Sequence, residues 1–201
     1  PRFVAINEFG PGALIYHEGA RFEAYRVQLE RSDDNRTGVD TESAVRCADC
    51  GYHHPPSIGD GTCDLCGTQL GDPTDGLLRL RTVYTRRRER ISSDEEERRR
   101  SGFDIVASFR FSGTLDRLSR LSATVSADEP LLELDYGDSA TVRMTNVGLK
   151  RRKEQHVLGF VLDATSGQWM TKRQEEEAEA ADNDDIIDLT KARRPTWVVP
   201  Y

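Results

Sequence analysis

The apolar and polar positions of this chain read mostly as short strands separated by turns, and strands that bury one face alternate with a period of two. Phe22, Ala24, Arg26 and Gln28 alternate with Tyr25, Val27 and Leu29. The pattern predicts a short strand from Arg2 to Ile6, then a turn over Asn7–Gly12, which two glycines and a proline punctuate. Ala13–Tyr16 and Arg21–Leu29 read as a hairpin closed by His17-Glu-Gly19, with Gly19 suited to a left-handed position. Residues 31–42 are polar and read as a loop. Leu77–Thr85 reads as a strand leading onward. Further strands are expected at 103–112, 121–127, 131–136, 140–147 and 157–163, with Gly113, Pro130, Gly137 and Gly148 as separators. Gly137-Asp138 suits a tight turn, and Gly167 turns the chain back toward Trp169 and Met170. One helix is predicted. Ser93 with Glu96 forms a capping box, Asp94–Glu97 and Arg98–Arg100 match the helix dipole, and Gly102 suits the C-cap.

Four cysteines interrupt this pattern, and they are the only ones in 201 residues. Cys47-Ala-Asp-Cys50-Gly51 and Cys63-Asp-Leu-Cys66-Gly67 share one form, a C-x2-C pair followed by glycine. Two intervening residues let both sulfurs of a pair face one centre, and the glycine allows the chain to fold under it with positive φ. Two such knuckles supply four thiolates for a closed tetrahedral zinc site with Zn–S bonds of about 2.3 Å. A closed site leaves no position for substrate, so the expected Zn2+ is structural. Two disulfides need an oxidising compartment that nothing here suggests, and an iron–sulfur cluster is the remaining four-cysteine alternative. His53 and His54 could replace a ligand, but four cysteines already fill the site, and the favoured reading is a pair of loop histidines.

The fold class expected is therefore α+β: mostly antiparallel β, with an inserted four-cysteine zinc-ribbon module and one short surface helix. The boundaries read as a β segment over 1–45, a zinc module over 46–71, a β-rich domain over 72–170 continuing the same sheet, an acidic linker over 171–188, and the start of a further element over 189–201. The chain opens on Pro1 and closes on Pro200-Tyr201 after an apolar Trp197-Val198-Val199, which reads as a segment of a longer protein.

Charge changes the picture more than composition does. The formal charge is −7, but residues 175–188 hold eight acids and no Lys or Arg. Elsewhere acids and bases nearly balance, and the bases gather in three runs: Arg86, Arg87, Arg88 and Arg90; Arg98, Arg99 and Arg100; Lys150, Arg151, Arg152 and Lys153. Such runs are solvated faces or phosphate contacts. No 18-residue apolar run and no signal peptide occur, so no membrane contact is expected and the location reads as cytoplasmic. No G-x-x-x-x-G-K-[ST] loop exists, and Asp94–Glu97 lacks the apolar strand that would aim an ATPase acidic box at magnesium. His17, His53, His54 and His156 have no identifiable nucleophile partner, so these residues are not expected to form an enzyme by themselves.

Several stretches together are similar to one known group. Ile6-Asn-Glu-Phe-Gly-Pro-Gly-Ala-Leu-Ile-Tyr-His-Glu-Gly19 with Tyr25-Arg-Val27, the cysteine module Cys47–His54 and Cys63–Gly67, the stretch Arg86–Arg98, and Tyr136-Gly-Asp138 resemble the region after the motor core in superfamily 2 DEAD/DEAH-type helicases. The similarity spans about residues 2–170 and is closest to the DrmA-type helicases of DISARM anti-phage systems, more distantly to MrfA-type repair helicases. The resemblance implies an ATP-dependent, DNA-translocating parent protein whose accessory zinc domain grips nucleic acid. The three basic runs would then contact the backbone of single-stranded or duplex DNA. Partners would be the rest of the helicase chain and a second subunit of a defence complex. Two other classes stay open: a zinc-stabilised protein–protein interaction module, and a zinc-ribbon domain of transcription or repair machinery.

Overall fold

The computed structural model describes residues 2–29, 39–57, 61–88, 102–126, 129–171, 173–177 and 195–201. The helix expected after Ser93 and the basic residues Arg90, Arg98, Arg99 and Arg100 lie outside them. The described chain is mostly antiparallel β with short helices. It divides into two compact units: residues 1–43, 75–106 and 144–201 form the first, and residues 44–74 and 107–143 the second.

The first unit opens with a helix, α1 (Arg2–Glu8), where the alternation predicts a strand. Five residues are too few to separate the two periods. Burial separates them: a strand would bury Val4 with Ile6 on one face, yet Ile6 is buried and Val4 is exposed. The Phe9 N–H donates to the Ala5 carbonyl at 2.8 Å, closing the last turn. Gly10 follows where a Cβ would come within 2.8 Å of the Phe103 ring and 2.9 Å of the Asn146 amide. Only glycine passes there.

Strands β1 (Leu14–His17) and β2 (Ala20–Val27) form the expected hairpin. Its two-residue turn places both Glu18 (φ 46°) and Gly19 (φ 73°) in the left-handed region, the primed geometry that matches strand twist. The strand expected over Leu77–Thr85 is two strands, β5 (Thr74–Leu78) and β6 (Val83–Arg88). They serve different sheets, so the chain must turn between them. β6 pairs antiparallel with β2, with an irregularity between Ala24 and Arg26. Strand β11 (Phe160–Asp163) pairs antiparallel with β12 (Pro195–Pro200), which pairs parallel with β5. Residues 195–200, read from sequence as opening a further element, thus fill the middle of a sheet. Their Val198 is fully buried with Val27, Leu78 and Leu162. Ala13, Ala24 and Phe103 make a second buried cluster.

The second unit contains β3 (Glu42–Arg46) from Ala44 onward, β4 (His53–His54), and the hairpin of β8 (Ser119–Ser126) and β9 (Glu129–Tyr136). Pro130 lies inside β9 rather than separating strands. It stands opposite Thr124, where the register slips on both sides, and an irregular ladder tolerates a missing N–H. Strands β7 (Phe103–Phe111) and β10 (Ala140–Leu149) pair with each other, and the division between the units falls inside both. The buried cluster of the second unit is Cys47, Tyr52 and Cys63, with Phe109, Phe111 and Leu115 packed on it.

Candidate metal centre

Each cysteine pair sits at the tip of a hairpin, and the two tips repeat one backbone plan. In the first, β3 and β4 are the legs, with Arg46 opposite His53. The Cys47 N–H donates to the Tyr52 carbonyl at 2.8 Å, and the Gly51 N–H returns to the Cys47 carbonyl at 3.1 Å. In the second, Thr62 stands opposite Gln69. The Cys63 N–H donates to the Thr68 carbonyl at 2.8 Å, and the Gly67 N–H to the Cys63 carbonyl at 2.8 Å. Gly51 and Gly67 have φ of 78° and 77°. Both glycines thus hold the left-handed conformation that the C-x2-C-G pattern predicts, and that other residues adopt only under strain.

The two tips bring all four sulfurs together. Cys47 Sγ lies 3.6 Å from Cys66 Sγ, and Cys50 Sγ lies 3.6 Å from Cys63 Sγ. All four are within 4.8 Å of one another. No disulfide joins them. A disulfide holds its sulfurs about 2.05 Å apart, whereas a tetrahedral ion with 2.3 Å bonds sets them about 3.8 Å apart. The observed spacing excludes disulfides and is compatible with four ligands to one ion. Four soft thiolates in a compact tetrahedral set suit zinc or iron.

The thiols differ in ways that follow from their surroundings. Burial pushes the Cys50 thiol well above its ordinary range and raises Cys63 as well. Cys66 is exposed, and hydrogen bonding with the Thr68 side chain, whose Oγ1 lies 3.4 Å from Cys66 Sγ, and with the Thr68 backbone pulls it down to about 6. Thr68 in turn donates from Oγ1 to Asp49 Oδ2 at 2.7 Å, linking one knuckle to the other. Without a cation, the set cannot carry four charges.

His54 belongs to this site, although the sequence suggests only a loop residue. Its side chain is fully buried, with Nε2 at 3.3 Å from Cys63 Sγ. A metal-bound thiolate would only accept, so with the ion in place Nε2 would carry the hydrogen and donate it. The Asp64 carboxylate stands 3.2 Å from Nδ1, without the alignment of a hydrogen bond. The Tyr52 ring packs edge-on against His54 at 5.0 Å. The available signal was position: His54 follows the first knuckle by four residues, on the strand that returns past the metal.

The basic runs divide. Arg86, Arg87 and Arg88 are exposed along β6. Arg86 donates from Nε to Glu23 Oε2 at 3.0 Å, and Arg88 donates from Nε to the same oxygen at 2.6 Å. The Arg86 guanidinium also lies 5.3 Å from the centre of the Tyr25 ring, and Arg26 lies 4.1 Å over Tyr84. Arg152 is committed to its own turn and to Asp104 on β7. It donates to Asp104 Oδ2 at 3.0 Å, to the Leu149 carbonyl at 3.2 Å and to the Gln155 carbonyl at 3.1 and 3.2 Å. Lys150, Arg151 and Lys153 share that loop after β10.

Comparison with models of known families, with curated proteins and with solved structures finds no match. Among the described residues no helix is long and apolar enough to cross a membrane.

Proposed function

We propose that this chain is a zinc-ribbon-containing accessory region of an ATP-dependent DNA helicase or translocase, acting in anti-phage defence, and that it engages the nucleic-acid backbone. The four-sulfur cluster carries the metal half of the reading. A closed site holds two hairpin tips in register and leaves no position for substrate, so the ion's role is structural. The strand β6 supports the nucleic-acid half. Its three consecutive exposed arginines offer planar forks suited to phosphate, and one acid, Glu23, holds two of them. Tyr25 and Tyr84 beside Arg86 and Arg26 add aromatic faces to that side of the sheet.

Glu23 supplies the test. Arg86 and Arg88 now share its carboxylate, so Glu23→Gln frees both for phosphate. Fluorescence anisotropy on single-stranded and duplex DNA over a salt series should show tighter binding. Its salt slope should steepen by about 0.7–0.9 per additional phosphate neutralised. Arg86→Ala with Arg88→Ala should weaken binding and flatten the slope. Binding that ignores all three changes refutes the nucleic-acid reading. A protein–protein interaction module is the second reading. The commitment of Arg152 to its own turn and the exposed leucines described next favour it.

A further inference from the structure

The hairpin of β8 and β9 has two unlike faces. Its register sets Ser119 opposite Tyr136, Leu121 opposite Leu134, and Ala123 opposite Leu132. Directly opposed residues share a face, and every second residue along a strand returns to it. These six therefore form one face, and it carries no charge. The other face carries Arg120, which donates to Asp135 at 2.7 and 3.0 Å and pairs with Glu133 at 3.2 Å.

The apolar face lies open. Leu121 is 68% exposed, Leu132 52%, Leu134 51% and Tyr136 68%. A lone two-stranded ribbon is marginal in water and gains its stability by covering an apolar face. Contiguous apolar patches of about 300–600 Å² are the largest that ordinary monomers show, and they mark contact surfaces. We propose that this face is a dimer interface, covered by the same face of a second copy of this chain.

Three observations select a second copy as the occupant. The face is uncharged from Ser119/Tyr136 to Ala123/Leu132, so an identical face lies on it without burying an unpaired ion. The pairs run large against large at Leu121/Leu134 and small against large at Ala123/Leu132. The dimple at Ala123 thus receives a leucine from the facing copy, as stacked sheets interdigitate at about 10 Å. In each copy the contact covers four large side chains that are each more than half exposed, Leu121, Leu132, Leu134 and Tyr136. The contact is isologous: each copy gives and receives the same residues.

Sedimentation equilibrium of the zinc-loaded 201-residue chain, over micromolar to hundreds of micromolar concentration, tests this. The parent chain should populate dimer across that range. Leu121→Lys with Leu134→Lys should raise the dimer dissociation constant at least about 100-fold, since truncating central interface anchors costs that much. Ser122→Lys, on the opposite face, should leave it unchanged. Zinc content and circular dichroism report folding. If the double variant misfolds, Tyr136→Lys at the end of the face decides in its place. A parent chain that stays monomeric overturns the proposal, as does a dimer that withstands the face variants. In the first case the face belongs to a different partner or to another part of a longer chain.

Discussion

Removing the metal should unfold the second unit and spare the first. The second unit's buried cluster has three members, Cys47, Tyr52 and Cys63, and two of them belong to the four-sulfur set. What remains is a ring cluster. Tyr52 meets Phe109 at 5.6 Å and Phe111 at 6.4 Å, and Phe109 meets Phe111 at 5.6 Å. Each such pair is worth about 0.5–1.5 kcal/mol beyond its buried area, and each large apolar side chain about 1.5–3 kcal/mol if fully buried. Ordering the backbone opposes this with about 1–2 kcal/mol per residue. Structural zinc supplies about 10–16 kcal/mol in small modules. That is comparable to the whole stability of a domain, about 5–15 kcal/mol. Cys47→Ser compounds the loss, because a buried hydroxyl without a partner costs about 1–3 kcal/mol more.

Hydrogen exchange read by mass spectrometry checks this region by region. In the zinc-loaded chain the amides of Cys47, Gly51, Cys63 and Gly67 should exchange slowly, since each is bonded within its knuckle. Chelation, or Cys47→Ser, should strip that protection. The amides of Val27, Trp169 and Tyr201 should keep theirs, because the cluster of Val27, Leu78, Leu162 and Val198 contains no cysteine. Knuckle amides that stay protected in metal-free chain would refute the reasoning. So would equal loss in both units.

His54→Phe should keep the ring volume and lose the N–H to Cys63, lowering zinc affinity about 10-fold or more in chelator competition, the usual effect of removing an outer partner of a ligand. In the folded, zinc-loaded protein Cys66, whose side chain is exposed, should be alkylated before the buried Cys47 and Cys63, as peptide mass spectrometry would show. Gly159→Ala should cost more than about 3 kcal/mol, read as a lower denaturant midpoint at unchanged slope. Its φ is 93°, and a Cβ there runs into the Val198 carbonyl of β12. Gly19→Ala, with open space around it, should cost only about 1–2 kcal/mol.

The four-cysteine cluster was legible because its information is local. A C-x2-C-G unit specifies its own turn: the spacing aims two sulfurs at one point and the glycine supplies the positive φ. Two copies in sequence then need only a hairpin each to meet. The β1–β2 turn was legible for the same reason, with Gly19 as its signal. What failed to show was whatever depends on distant chain. His54 reads as a polar loop residue until β4 carries it beneath Cys63. The strand over Pro195–Pro200 reads as an overhang until β5 and β11 close on either side of it. Arg2–Glu8 carries an apolar pattern that two periods fit, and only the burial of Ile6 without Val4 decides between them.

Charge runs show the same limit from the other side. A run announces its charge but not its partners, and partners decide what an arginine can still do. Arg86 and Arg152 are alike in sequence, each inside a basic run. Arg86 points along an exposed strand and shares one carboxylate with Arg88, so a phosphate competing for its fork displaces a single acid. Arg152 gives its fork to Asp104 and to two carbonyls, Leu149 and Gln155, and its side chain is mostly covered. Freeing it would leave those carbonyls unpaired and open the turn after β10. The two residues therefore differ in what a ligand must displace, one exposed ion pair against a turn's internal bonds. Exposed ion pairs are worth about 0–1 kcal/mol, so β6 exchanges its partner readily and the Arg152 turn does not. Any backbone contact made by this chain should draw on β6 before it draws on Arg152.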